Sequence, residues 1–208
     1  VAAFMAHEPL LVLTGARGSR AKREFAGQAK RALVIRGALA LLMGLSGLAL
    51  AARLTWFVAI LPIVVSALLV PLIAVGKEKT LLGECIAAVA LSGASVPVAV
   101  AGGAELPRAL LAWGVWSLSF VLGTAAVRAV VAKQKAGVRP TSSALILLGG
   151  TVAIGAASAQ VPLAFAAAPT LLAAWGLFSV CPHPRHLKRA GWSLVAASSA
   201  TAVLVLAL

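Results

Sequence analysis

Apolar runs long enough to cross a lipid bilayer follow one another along almost the whole chain, and short basic segments separate them. A hydrocarbon core offers the backbone no water to bond with. Runs of this kind must therefore close their hydrogen bonds internally, as helices. Composition points the same way. The chain is 62% hydrophobic and only 11% charged, which leaves too few polar side chains to cover a water-soluble fold. The expected fold class is all-α: a polytopic transmembrane helix bundle forming one domain over residues 1–208.

Eight spans are expected, over residues 1–14, 33–52, 54–75, 80–101, 107–132, 143–159, 161–180 and 192–208. Threading them in order sorts the cations. Sixteen of the 18 Lys and Arg residues fall on one side, and only Arg53 and Arg108 fall on the other. The basic loops are Gly15–Arg31, the stretch with Lys77 and Lys79, the stretch with Lys133, Lys135 and Arg139, and the stretch with Arg185, Lys188 and Arg189. The positive-inside rule places these loops in the cytoplasm. The net charge of +13 is thus read as topology and attraction to anionic lipid. Nucleic acid is not an expected partner, because no basic groove with interleaved aromatics is visible.

The tryptophans give a second ruler. Trp56, Trp113 and Trp116 fall near the expected outer interface and Trp192 near the inner one, depths that amphipathic rings prefer. Trp175 sits mid-span and is expected to pack in the bundle. Ala40, Gly44 and Gly47 in the second span, and Gly149, Gly150 and Gly155 in the sixth, have the small-residue spacing that lets helices approach closely.

Ionisable residues inside spans are costly in lipid and mark pairing or function. His7 and Glu8 lie in the first span, ahead of Pro9. Arg36 stands about 8 Å in from Arg31, and Glu84 about 8 Å in from Lys79, at 1.5 Å rise per residue. Arg128 lies at similar depth in the fifth span. All are biased to one leaflet. Glu84 has two candidate ion-pair partners, Arg36 and Arg128. With Lys77 and Lys79, the residues His7, Glu8, Arg36, Glu84 and Arg128 form the expected ligand-binding set, facing one cytoplasmic cavity.

No catalytic set is legible. The chain has no Asp, and its five acids are Glu8, Glu24, Glu78, Glu84 and Glu105. Cys85 and Cys181 lie in or at the end of apolar spans and form no disulfide framework. Cys181, His183 and His186 have no carboxylate beside them, so no metal site and no cofactor is expected. Gly76–Thr80 (GKEKT) lacks the upstream glycine of a phosphate loop.

The opening FMAHEPLLVLTGARGSRAKR, the segment GKEKTLLGECIAAVALSGASVPVAVAGG and the closing HPRHLKRAGWSLV resemble the YwiC-like family of bacterial membrane proteins, over nearly all of the chain. That family typically begins with a further helix carrying a Glu-His-Gly signature. The resemblance therefore implies one more helix ahead of Val1, and a setting in the bacterial cytoplasmic membrane. It implies no activity. Nine spans with a cytoplasmic N-terminus are similar to the UbiA-type intramembrane prenyltransferases. Their two Asp-rich motifs would correspond to the ends of the first and fifth spans, where His7, Glu8, Arg128 and Lys133 stand instead. Without clustered carboxylates a Mg²⁺–diphosphate site is not expected, so that likeness implies a scaffold rather than a reaction.

The functional expectation is an integral membrane protein that binds an anionic amphiphile, an isoprenoid or phospholipid, at the cytoplasmic leaflet. The alternatives are a small-solute transporter and a degenerate UbiA-like prenyltransferase.

Overall fold

A computed structural model describes residues 9, 12, 13, 15, 18–75, 77, 80–183 and 186–208. Among the described residues every regular element is helical. The chain forms two compact units, Val1–Arg53 and Leu54–Leu208. Six stretches are long and apolar enough to cross a membrane: Lys22–Leu50, Leu81–Ala101, Leu106–Ala136, Thr141–Ser158, Pro162–Val180 and Lys188–Ala207. They coincide with the second, fourth, fifth, sixth, seventh and eighth expected spans. The first expected span, 1–14, lies almost wholly outside the described residues.

The first unit is dominated by helix α1, Ser19–Leu50. Its beginning corrects the sequence reading, which placed Gly15–Arg31 in a loop. From Ser19 onward that segment is helical. Arg, Lys, Ala and Glu are strong helix formers, so charge alone does not mark a loop. Arg20 and Glu24 meet one turn apart at 3.9 Å, a solvent-exposed pair that adds little. Within the first unit, a Cβ added at Gly44 or Gly47 would meet nothing within 4 Å.

In the second unit, α2 (Arg53–Ala67, of which Leu54 onward belongs to this unit) and α3 (Leu69–Ala74) cover the third expected span. That span is interrupted, and α2 alone is only 15 residues long. The cause is Pro71. It brings no N–H to the carbonyl four residues back, and its ring crowds that carbonyl. The residue four back is Ala67, the last of α2. Pro97 acts identically. Four residues before it stands Gly93, where α4 (Leu81–Gly93) ends before α5 (Ser95–Ala101) begins. A 3₁₀ turn, Pro162–Ala167, opens the seventh span and runs into α8, Ala168–Val180.

The remaining helices are α6 (Leu106–Ala136), α7 (Thr141–Ser158) and α9 (Leu187–Ala207). Helix α6 is central, packing on α4, α7 and α8. Its buried residues Leu122, Ala125, Ala126 and Ala129 recur at three- and four-residue steps along one face. Ser143, Leu147, Gly150 and Ile154 form the matching face of α7. Leu122 and Leu147 are completely buried. Gly150 admits Leu122 so closely that a Cβ there would stand 2.5 Å from the Leu122 Cδ2. Gly149 and Gly155 face open space.

Polar side chains tie helices where packing is tight. The buried hydroxyls of Thr170 on α8 and Thr201 on α9 lie 3.1 Å apart. Thr170→Val is expected to cost about 0.5–1.5 kcal/mol, because it strands the Thr201 hydroxyl. The Thr170→Val/Thr201→Val double variant should recover most of this loss in a detergent thermal melt. Trp175 is half-buried against the core, with its Nε1 donating to Thr151 Oγ1 at 3.0 Å. Trp113 packs with Val58, Val96 and Ala109 and donates to the Val89 carbonyl at 3.1 Å.

Candidate functional site

Helices α4 and α6 run antiparallel, and the site follows from that register. Ser92 meets Ser117 at 2.9 Å, and Trp113 reaches Val89. Continuing toward the other end brings the first turn of α4 level with the last third of α6. There Glu84 Oε2 meets Arg128 Nη1 at 2.8 Å. Thr80 starts α4 as its cap, accepting from the Gly83 N–H at 3.2 Å. An acid one turn inside a helix start is favoured by the helix dipole as well as by its partner. The pair is 35% and 39% exposed.

Within the second unit, Glu84 thus pairs with Arg128, one of the two partners open to it from sequence. Arg36 stands half-buried in the first unit, midway along α1. Lys77 is exposed three residues ahead of Thr80, with its carbonyl accepting from the Thr80 hydroxyl at 2.7 Å. His7, Glu8 and Lys79 lie outside the described residues.

The same end of the second unit gathers other basic segments. Helix α6 carries Lys133 and Lys135 in its last turn and closes on Gly137, whose positive φ of 74° suits glycine. Helix α8 closes on Cys181, whose N–H bonds the Leu177 carbonyl at 2.9 Å. Arg139 bridges the two. It donates to the Ser179 carbonyl at 2.8 Å, and its guanidinium lies 5.2 Å from the centre of the Phe178 ring. Gln134 donates to the Pro182 carbonyl at 3.2 Å. These residues satisfy carbonyls at a helix end that would otherwise be unbonded. Sequence reading placed Arg139 in a loop as one cation among several. Its pairing with a carbonyl 40 residues away had no local signal.

Charge at this end is strongly unbalanced. No acid follows Glu105 in the chain, while eight Lys and Arg residues do. Arg128 has Glu84 beside it. Among the described residues no group of three or more His, Cys, Asp or Glu side chains comes together as a metal site would.

These features define a multi-helix protein of membrane type, with a basic end built around one inter-helix ion pair. The model of the family described as YwiC-like protein matches residues 1–100. Over those residues the chain is similar to the YwiC-like family, the resemblance that its opening motifs carry. The match stops at residue 100, short of the closing HPRHLKRAGWSLV on which the resemblance also drew. No curated protein and no solved structure matches the chain.

Proposed function

We propose that this protein binds an anionic amphiphile, an isoprenoid or phospholipid headgroup, at the cytoplasmic leaflet of a bacterial cytoplasmic membrane. The observation that supports the reading is the half-exposed Glu84–Arg128 pair at the end of a membrane-type bundle, among cations that outnumber acids. Guanidinium recognises phosphate through its fork of N–H donors, and a carboxylate holding one side of the fork sets its orientation. Lys77, exposed three residues ahead of Thr80, adds a cation before the start of α4. Arg36, His7 and Glu8, grouped with these residues from sequence, belong to the same reading, as does the eight-span, UbiA-like arrangement.

Lipid extracted from the purified full chain and quantified by mass spectrometry tests this. The Arg36→Ala/Arg128→Ala variant is expected to retain at least fivefold less phosphatidylglycerol or prenyl phosphate, from roughly 1 kcal/mol per cation. Equal retention would count against the reading.

A small-solute transporter is the second reading, favoured by the interrupted helices at Ala67 and Gly93. Solute flux into vesicles that disappears on Pro97→Ala would support it over lipid binding.

A further inference from the structure

A groove of about 540 Å³ runs between α8 and α9, away from Glu84 and Arg128. Leu177 and Ala190 form its buried floor. It is open because small residues line it: Ala173 and Gly176 on α8, Ser193 on α9. A Cβ at Gly176 would meet nothing within 4 Å. His186 and Arg189, both exposed, stand at its one polar end, and the groove has no acidic lining residue. No acid occurs anywhere on α8 or α9.

We propose that this groove is a binding site for one anionic glycerophospholipid of the leaflet at the basic end. The occupant follows from charge and shape together. The cationic end must find its counter-charge outside these two helices, and the rest of the groove is apolar. From Val180 to Ala173 the groove descends about 10 Å, at 1.5 Å per helical residue. That depth takes the first half of an acyl chain when a phosphate sits at His186 and Arg189. A soluble phosphate would engage only the rim and leave the apolar floor uncovered. A second copy of this chain would have to place an anionic group against Arg189, and Glu84 at this end is already held by Arg128. The volume lies within the range of pre-formed ligand sites, about 300–1,000 Å³. The inference is independent of the amphiphile site proposed at Arg128.

The test is photolabelling of the full chain in vesicles of phosphatidylcholine and phosphatidylglycerol. Each lipid in turn carries a photoreactive group near the top of one acyl chain, and adducts are mapped by peptide mass spectrometry. The expected result is adducts on residues 173–193 with the phosphatidylglycerol probe, several-fold above the phosphatidylcholine probe. Arg189→Gln should reduce them about fivefold, the loss of one interfacial cation. Gly176→Leu, whose Cβ has open space and whose longer side chain would occupy the groove, should abolish them. Arg128→Ala should leave them unchanged, which separates this site from the one above. Equal labelling by both lipids, labelling indifferent to Gly176→Leu, or protein–protein adducts across this face would each overturn the proposal.

Discussion

Gly150→Ala is expected to destabilise the second unit by about 1–3 kcal/mol, the usual cost of overpacking a filled core. The new methyl would stand 2.5 Å from the Leu122 Cδ2 and 3.4 Å from its Cγ. A flexible side chain elsewhere would turn aside. Leu122 is completely buried against α7 and cannot do so without displacing neighbours. Gly149→Ala is the control, since nothing lies within 4 Å of its added Cβ. A thermal melt in detergent should show Gly150→Ala several degrees below the parent and Gly149→Ala level with it. Equal midpoints for both variants would mean that α6 and α7 do not approach as described.

Removing Glu84 is the second large effect. Glu84→Ala leaves Arg128 without its 2.8 Å partner at the edge of an apolar bundle. Fully buried pairs cost about 3–5 kcal/mol to break from one side, and exposed pairs are worth about 0–1. With both side chains more than a third exposed, about 1–2 kcal/mol is expected. Glu84→Gln/Arg128→Gln should be less destabilised than the two single changes added together, because neither charge is then stranded. Additive losses in that double-mutant cycle would show that the pair contributes no coupling.

Much of this architecture was readable from residues alone, and the reasons differ by element. The spans at 107–132, 143–159 and 192–208 fall on the helices Leu106–Ala136, Thr141–Ser158 and Leu187–Ala207, because uninterrupted apolar composition leaves helix as the sole economical backbone state. The basic entry to α1 was misread because polarity was equated with loop, while helix propensity ignores charge. Equal depth suggested that Glu84 has a cationic partner, yet depth is a single coordinate. Choosing Arg128 required the antiparallel register of α4 and α6. Gly149, Gly150 and Gly155 are equivalent in one dimension, and only the neighbour across the interface distinguishes Gly150. The groove beside α9 was invisible for a related reason. It opens beside Ala173, Gly176 and Ala190, small residues that in a sequence of this composition look like filler.

The two proline interruptions have a mechanical consequence. At Ala67 and Gly93 a proline four residues on has removed one rung of peptide bonding, so a change of tilt there costs less than in an unbroken helix. Leu69–Ala74 and Ser95–Ala101 are therefore levers on ready-made pivots, whereas α6, uninterrupted for 31 residues, is the rigid mast between its neighbours. Any bending of the second unit within the bilayer is concentrated in the two hinged segments, and deuterium uptake should begin beside those joints.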